Sequence, residues 1–318
     1  MNLNSEHLRG AGKRMSRKEE IDAALKKLAV FEAENSDESK AYAIRENIAF
    51  MKAARSLPRY LWWLFTIAPK LDGSRLLELT DFPVEEWDIA MHERLIELQK
   101  RERPGLIAPL ANAITEYMRK EQRDLIIADL GAGGMEVDRQ VAEWALKTNH
   151  PYALTIVAVD KSPITRRIAD KNLRGLASGA EIIETGELSM GELERMRKDA
   201  TKKILIVMCT NDIFDLDRKF HPQYFDLVYH SLFRHHLNAI EQEKLDRVIQ
   251  AIGKNHFEFD GYKSWMHGII QSLFAWTSPI FLNGTIISMA RYKTKAKASQ
   301  GSGDVSYYTN TAHYLRKF

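Results

Sequence analysis

The stretch "IADLGAGGMEVD", residues 127–138, places three glycines in a turn directly after an apolar run. Glycine allows positive φ and lets a ligand approach the backbone closely. A helix starting beyond such a turn offers unpaired N–H groups. The pattern is that of a nucleotide-type site, yet two common phosphate cradles are absent. The dinucleotide fingerprint G-x-G-x-x-G needs a glycine where Glu136 stands, and no Walker lysine follows. Glu136 and Asp138, in the first helical turn, would repel a pyrophosphate, whereas a cationic ligand would tolerate them. A second cluster, "YHSLFRHHL" (229–237), supplies Tyr229, His230, His235 and His236 as candidate bases. Histidine suits proton transfer because it titrates near neutrality. His235 and His236 are expected to point apart as neighbours on a helix, so no metal site is expected there.

These residues sit at the ends of short β-rich apolar runs: 124–130, 153–160, 203–210 and 225–232. Helical stretches such as 136–147 and 163–177 lie between them. Strands alternating with helices predict an α/β fold with a mostly parallel sheet. Unbroken apolar runs fit strands buried on both faces. Residues 255–261 read as a fifth strand. Residues 284–294 and 304–311 read as a sixth and seventh, joined by the polar link "KAKASQGSG" into an antiparallel C-terminal hairpin. Residues 1–122 read as an all-helical N-terminal or lid region. Ser16 and Glu19 form a capping box there, followed by Ile21, Ala24, Leu25, Leu28 and Phe31 at helical spacing. Further helices are expected at 38–56, from Pro83 to about 103, and over 103–122. Residues 123–318 then form the sheet domain, with a helical insertion at about 261–282.

The chain has 318 residues, 45% hydrophobic and 28% charged, which is ordinary for a globular protein. A net charge of +3 is no strong sign of a nucleic-acid binder. The single Cys209 excludes an intrachain disulfide framework and a multi-cysteine zinc site. The first twenty residues lack the apolar core of a secretory signal, and the cytoplasm is the expected location. Residues 264–290 contain no Asp, Glu, Lys or Arg. Pro279, Asn283 and Gly284 interrupt them, which favours a buried helix plus a buried strand over a membrane-inserted element.

Four stretches together resemble the motifs of class I S-adenosylmethionine (SAM)-dependent methyltransferases. "IADLGAGG" resembles the first motif, and "IVAVDKSP", "CTNDIFDL" and "FDLVYHSLFRHHL" follow in the family's order. The resemblance covers about residues 124–260. It implies a Rossmann-like seven-stranded sheet and SAM as cofactor. The implied cofactor residues are Asp129, Gly131, Ala132, Gly133, Gly134, Asp160, Lys161, Asp212, Ile213 and His230. Asp160 would hold the ribose hydroxyls, and Asp212 would lie near the adenine with Ile213 against the ring. Met135 departs from the family's frequent third glycine.

The aromatic stretches 59–69 and 262–276 point to a small, hydrophobic or aromatic acceptor, lipid-like in character, methylated at O, N or C. Two alternatives stand beside this reading. One is an RNA methyltransferase using the basic stretch 291–318, with its four tyrosines. The other is a non-catalytic protein of the same fold acting through partners. Peripheral membrane contact and self-association through the N-terminal helices are left open by composition.

Overall fold

The structure is a computed structural model that describes residues 16–34, 38–67, 70, 105–237, 239–264, 292–300, 303–308 and 312–318. The expected helix from Pro83 to about 103 and most of the expected insertion lie outside the described residues, as do 284–291 of the expected sixth strand. The chain divides into two compact units.

The described part of the first unit contains three helices: α1 (Arg17–Glu34), α2 (Glu38–Ala53) and α3 (Leu57–Thr66). The capping box is present. Ser16 N–H donates to the Glu19 carboxylate at 2.6 Å, and Glu19 N–H donates to Ser16 Oγ at 3.3 Å. Ile21, Ala24 and Leu28 pack with Ile44, Phe50, Met51, Tyr60, Trp63 and Leu64. Pro58 falls in the first turn of α3, where its missing N–H is harmless.

The second unit holds the sheet. Its order is β3-β4-β2-β1-β5-β6-β8-β7. The parallel strands are β1 (Leu125–Leu130), β2 (Leu154–Val159), β3 (Ala180–Glu184), β4 (Ile204–Cys209), β5 (Leu227–Ser231) and β6 (His256–Gly261). β7 (Asp304–Tyr308) and β8 (His313–Lys317) join antiparallel. The described sheet has eight strands, one more than the expected seven. Two of the eight, β3 and β8, are additions to the expected strands, and most of the expected sixth lies outside the described residues; β3, "AEIIE", is a half-buried edge strand whose glutamates mask its strand character. The described C-terminal hairpin pairs 304–308 with 313–317. In β8, "HYLRK", alternation buries Tyr314 and Arg316 on one face, and the charges obscure the pattern.

Helices cover both faces. On one, α4 (Ala108–Glu121), α5 (Glu136–Lys147) and α6 (Pro163–Leu173) pack on Leu125, Ile127, Ile156 and Leu227. On the other, α7 (Met190–Asp199) and α8 (Ala239–Ile252) pack on Ile126, Ala128, Val157 and Val228. α4, grouped by sequence with the N-terminal helices, lies in the sheet unit through Leu110, Ile114 and Met118. β1, β2 and β4 are buried at every residue, which accounts for their unbroken apolar sequences. Among the described residues no helix is long and apolar enough to cross a membrane.

Met135 occupies the left-handed region at φ 56°, ψ 35°, immediately before α5, and is only 2% exposed. That conformation costs a non-glycine residue about 1–2 kcal/mol. Burying the side chain returns a comparable amount, about 1.5–3 kcal/mol. The third glycine is thus replaced by a residue that anchors the turn in the apolar core. Met135→Ala keeps the strain and loses the anchor. It should destabilise the sheet unit by about 2–5 kcal/mol, read as a lower urea midpoint with an unchanged slope.

Candidate functional site

β1 lies between β2 and β5, so the chain leaves it towards opposite sides of the sheet. Ligands of open α/β sheets bind at the carboxyl ends of the strands beside such a switch point. The glycine turn emerges there. Gly131 and Gly133 take φ of +71° and +54°. A Cβ on Gly131 would come within 2.2 Å of the Phe233 ring, so only glycine lets the loop after β5 lie against the turn. Phe233 was not singled out in the sequence, where it is one apolar residue among several.

The turn's donors are largely committed. Gly131 and Ala132 N–H groups donate to Val159 O at 2.9 and 3.2 Å, and Met135 N–H donates to Ala132 O at 2.9 Å. Gly133 N–H donates to Asp160 Oδ2 at 2.8 Å, while Ser162 N–H donates to the other Asp160 oxygen, also at 2.8 Å. Asn172 Nδ2 donates to Gly134 O at 2.6 Å. A phosphate would find few free N–H groups in this turn.

Asp212 follows β4 and accepts from Phe214 N–H at 3.0 Å. Its other oxygen lies 3.8 Å from Lys161 Nζ, so the residues after β2 and β4 meet. Both side chains are well exposed, and Ile213 is half-buried against the neighbouring core. Asn211 was missed. It is buried and pairs with both backbone groups of Leu188, at 2.8 and 3.0 Å, fixing the loop before α7.

Beneath the turn, Asp129 and Asp138 are buried together. Asp138 therefore faces the sheet, contrary to the expectation that it faces a ligand. Tyr229 Oη donates to Asp138 Oδ1 at 2.5 Å. Burial, then the charges of Asp138 and Asp160, push the Asp129 carboxyl well above its ordinary range. Burial also raises Asp138, with the Tyr229 hydroxyl opposing the rise. Tyr229 is raised far beyond the usual phenol, first by burial and then by both carboxylates. Its proton stays on the hydroxyl.

The candidate bases are not brought together as a group. Tyr229 packs with the α5 face, whereas the His230 ring lies near His256 and Phe233, with centroids at 5.2 and 6.4 Å. Burial holds His230 down to about 4, so it is neutral at pH 7. His235 is buried and His236 exposed. Their rings do not point apart: their centroids are 4.2 Å from each other, and residues 234–236 form a single 3₁₀ turn at the end of the loop after β5. His235 Nδ1 lies 2.6 Å from Asp260 Oδ1, and its backbone N–H donates to Asp260 Oδ2 at 3.2 Å. Burial would raise Asp260, but the facing His235 and the Gly261 N–H outweigh it and hold the carboxyl low. Arg234 pairs with Asp246 through two bonds of 2.5 Å. Lys293 pairs with buried Glu258 at 3.1 Å, and Tyr314 donates to the same carboxylate.

A buried acid with a raised pKa contributes stability that is complete below its unfolded value and declines as pH rises through the folded value. Asp129→Asn removes this dependence while keeping a donor towards Asp138. The variant's stability relative to the parent should grow as pH rises above the ordinary carboxylate range, from about pH 4 upward. Parallel denaturation curves across that range would count against a raised Asp129.

No family model matches this sequence, and no curated protein does. Solved structures do. A candidate O-methyltransferase from Nostoc punctiforme has 16% identity, covering 69% of this chain and 59% of its own, with a TM-score of 0.40. A candidate SAM-dependent methyltransferase from Methanococcus maripaludis has 14% identity, covering 74% and 95%, with a TM-score of 0.41. The carbon methyltransferase CurJ has 10% identity, covering 92% and 70%, with a TM-score of 0.45. This chain thus spans less than two thirds of the Nostoc protein's length. Likeness at this level says nothing of activity or acceptor. Set apart from the extra edge strand β3, the strand order is that of a Rossmann-like, mostly parallel sheet with an antiparallel C-terminal hairpin.

Proposed function

We propose that the sheet unit binds SAM and transfers its methyl group to a small acceptor. The observation that carries the reading is the glycine turn at the switch point. Its N–H groups are mostly bonded within the protein, and Asp160 and Asp212 stand at the neighbouring strand ends. Such a site suits a phosphate-free cation. SAM, when bound, supplies a methyl group activated by a sulfonium.

Gly131, Ala132, Gly133 and Gly134 would form the floor for the methionine part. Asp160 and Lys161 would meet the ribose, and Asp212 and Ile213 the adenine, with His230 beneath. The task left to the chain is alignment of the acceptor with the methyl–sulfur axis. For an acceptor O–H or N–H a base is needed as well. His235 would be the residue to take that proton, a role supported by its contact with Asp260, which fixes the ring's direction.

Use of the C-terminal basic stretch for RNA finds less support. Lys293 is engaged with Glu258, Lys295 lies over Tyr262 and Tyr307, and Lys317 over Phe257. Arg316 and Tyr314 are buried.

The direct test is thermal stabilisation by SAM and by its demethylated product. At about 100 times the dissociation constant a ligand adds about 2.7 kcal/mol. Asp212→Ala, at an exposed position, should weaken the shift while leaving the unliganded melting point within about 0.5 kcal/mol equivalent. No shift with either ligand would sink the reading. With any acceptor that turns over, His235→Ala should slow methylation by about 10²–10⁴-fold and keep the SAM shift. An unchanged rate would remove His235 as the base.

A further inference from the structure

The helix α3, "LPRYLWWLFT", carries Arg59 as its one charged residue and is otherwise almost wholly apolar. One side is accounted for: Tyr60, Trp63 and Leu64 are buried in the core of the helical unit. The other side is apolar too. Trp62 is 62% exposed, Phe65 56% and Leu57 41%. Trp62 and Phe65 are three residues apart and therefore neighbours on the helix surface. A helix that is apolar all round is normally buried all round.

The charges that α3 and its flanking residues carry are of one sign. Residues 47–70 contain Lys52, Arg55, Arg59 and Lys70 and no Asp or Glu. All four cations are exposed. Arg55 is partly neutralised by Asp22 of α1 at 2.9 Å. Arg59 stands three residues before Trp62 on the open side, and Lys70 follows the end of the helix. Exposed aromatics flanked by cations are the composition of a segment that lies in a lipid interface. Tryptophan settles at the headgroup level, and each nearby cation is drawn to anionic lipid.

We infer that the open side of α3, formed by Leu57, Trp62 and Phe65 with Arg59 at its margin, docks peripherally on an anionic membrane surface. The contact lies along the membrane plane and needs no spanning segment. It stands independently of whether the sheet unit binds SAM.

The test is co-sedimentation of the full chain with phosphatidylcholine vesicles, with and without phosphatidylserine, at low and high salt. The parent should sediment with phosphatidylserine vesicles, and less at high salt. Trp62→Ala together with Phe65→Ala should reduce that binding by about tenfold or more. Both residues are exposed, so circular dichroism and melting should be unchanged. Arg59→Glu should abolish the preference for phosphatidylserine while leaving the apolar face intact. Equal sedimentation of the parent and the double variant would overturn the proposal, as would no binding to either vesicle. So would light scattering showing a parent dimer that the double variant turns into a monomer without vesicle binding. The face would then be one for a second copy of this chain.

Discussion

One carboxylate, that of Asp160, fixes the ends of the two central strands. One oxygen accepts the Gly133 N–H and the other the Ser162 N–H. Charge-assisted bonds of this kind are roughly twice as strong as neutral ones. The turn after β1 and the start of α6 are thereby set by the same group. The character of the crevice follows. With Gly131, Ala132 and Met135 N–H groups also bonded to carbonyls, the turn itself has few donors left to receive an anion. The turn in turn sets the loop after β5. Gly131 alone allows the Phe233 ring to lie against it, and the next residues, Arg234 and His235, are held by Asp246 and Asp260.

Much of this was legible in the sequence, and for a physical reason. Parallel strands buried on both faces must be continuously apolar, so β1, β2, β4 and β5 read directly. The acids after β2 and β4 read as well, because each follows its strand immediately and the two loops meet through Lys161 and Asp212. What escaped has a common cause. β3 and β8 carry charges whose cost is relieved only by the tertiary setting, at an edge or in a buried network. Met135 looked like a defect because its left-handed backbone is local, while its compensation, core burial, is not. The contact between Tyr229 and Asp138 spans 91 residues, and no local pattern announces it. Asp260 sits inside an aromatic strand, "HFEFDG", where periodicity shows a face but not a partner.

The sheet carries buried acids on both faces, and it neutralises them in opposite ways. On the α8 face, Glu258 is matched by Lys293 and Arg234, and Asp260 by His235. Lys293 and Arg234 hold the Glu258 carboxyl low, and the His235 ring with the Gly261 N–H holds that of Asp260 low, so each carboxylate fixes its partner's direction. Breaking such a pair leaves a buried charge unmatched, which makes the loop after β5 rigid. On the α5 face the pair Asp129 and Asp138 has no such cation among its principal influences. Their burial is relieved by a retained proton and by the Tyr229 hydroxyl. The two faces therefore hold their neighbouring loops differently, the α8 face by ion pairs and the α5 face by a single hydroxyl that reaches Asp138 across 91 residues.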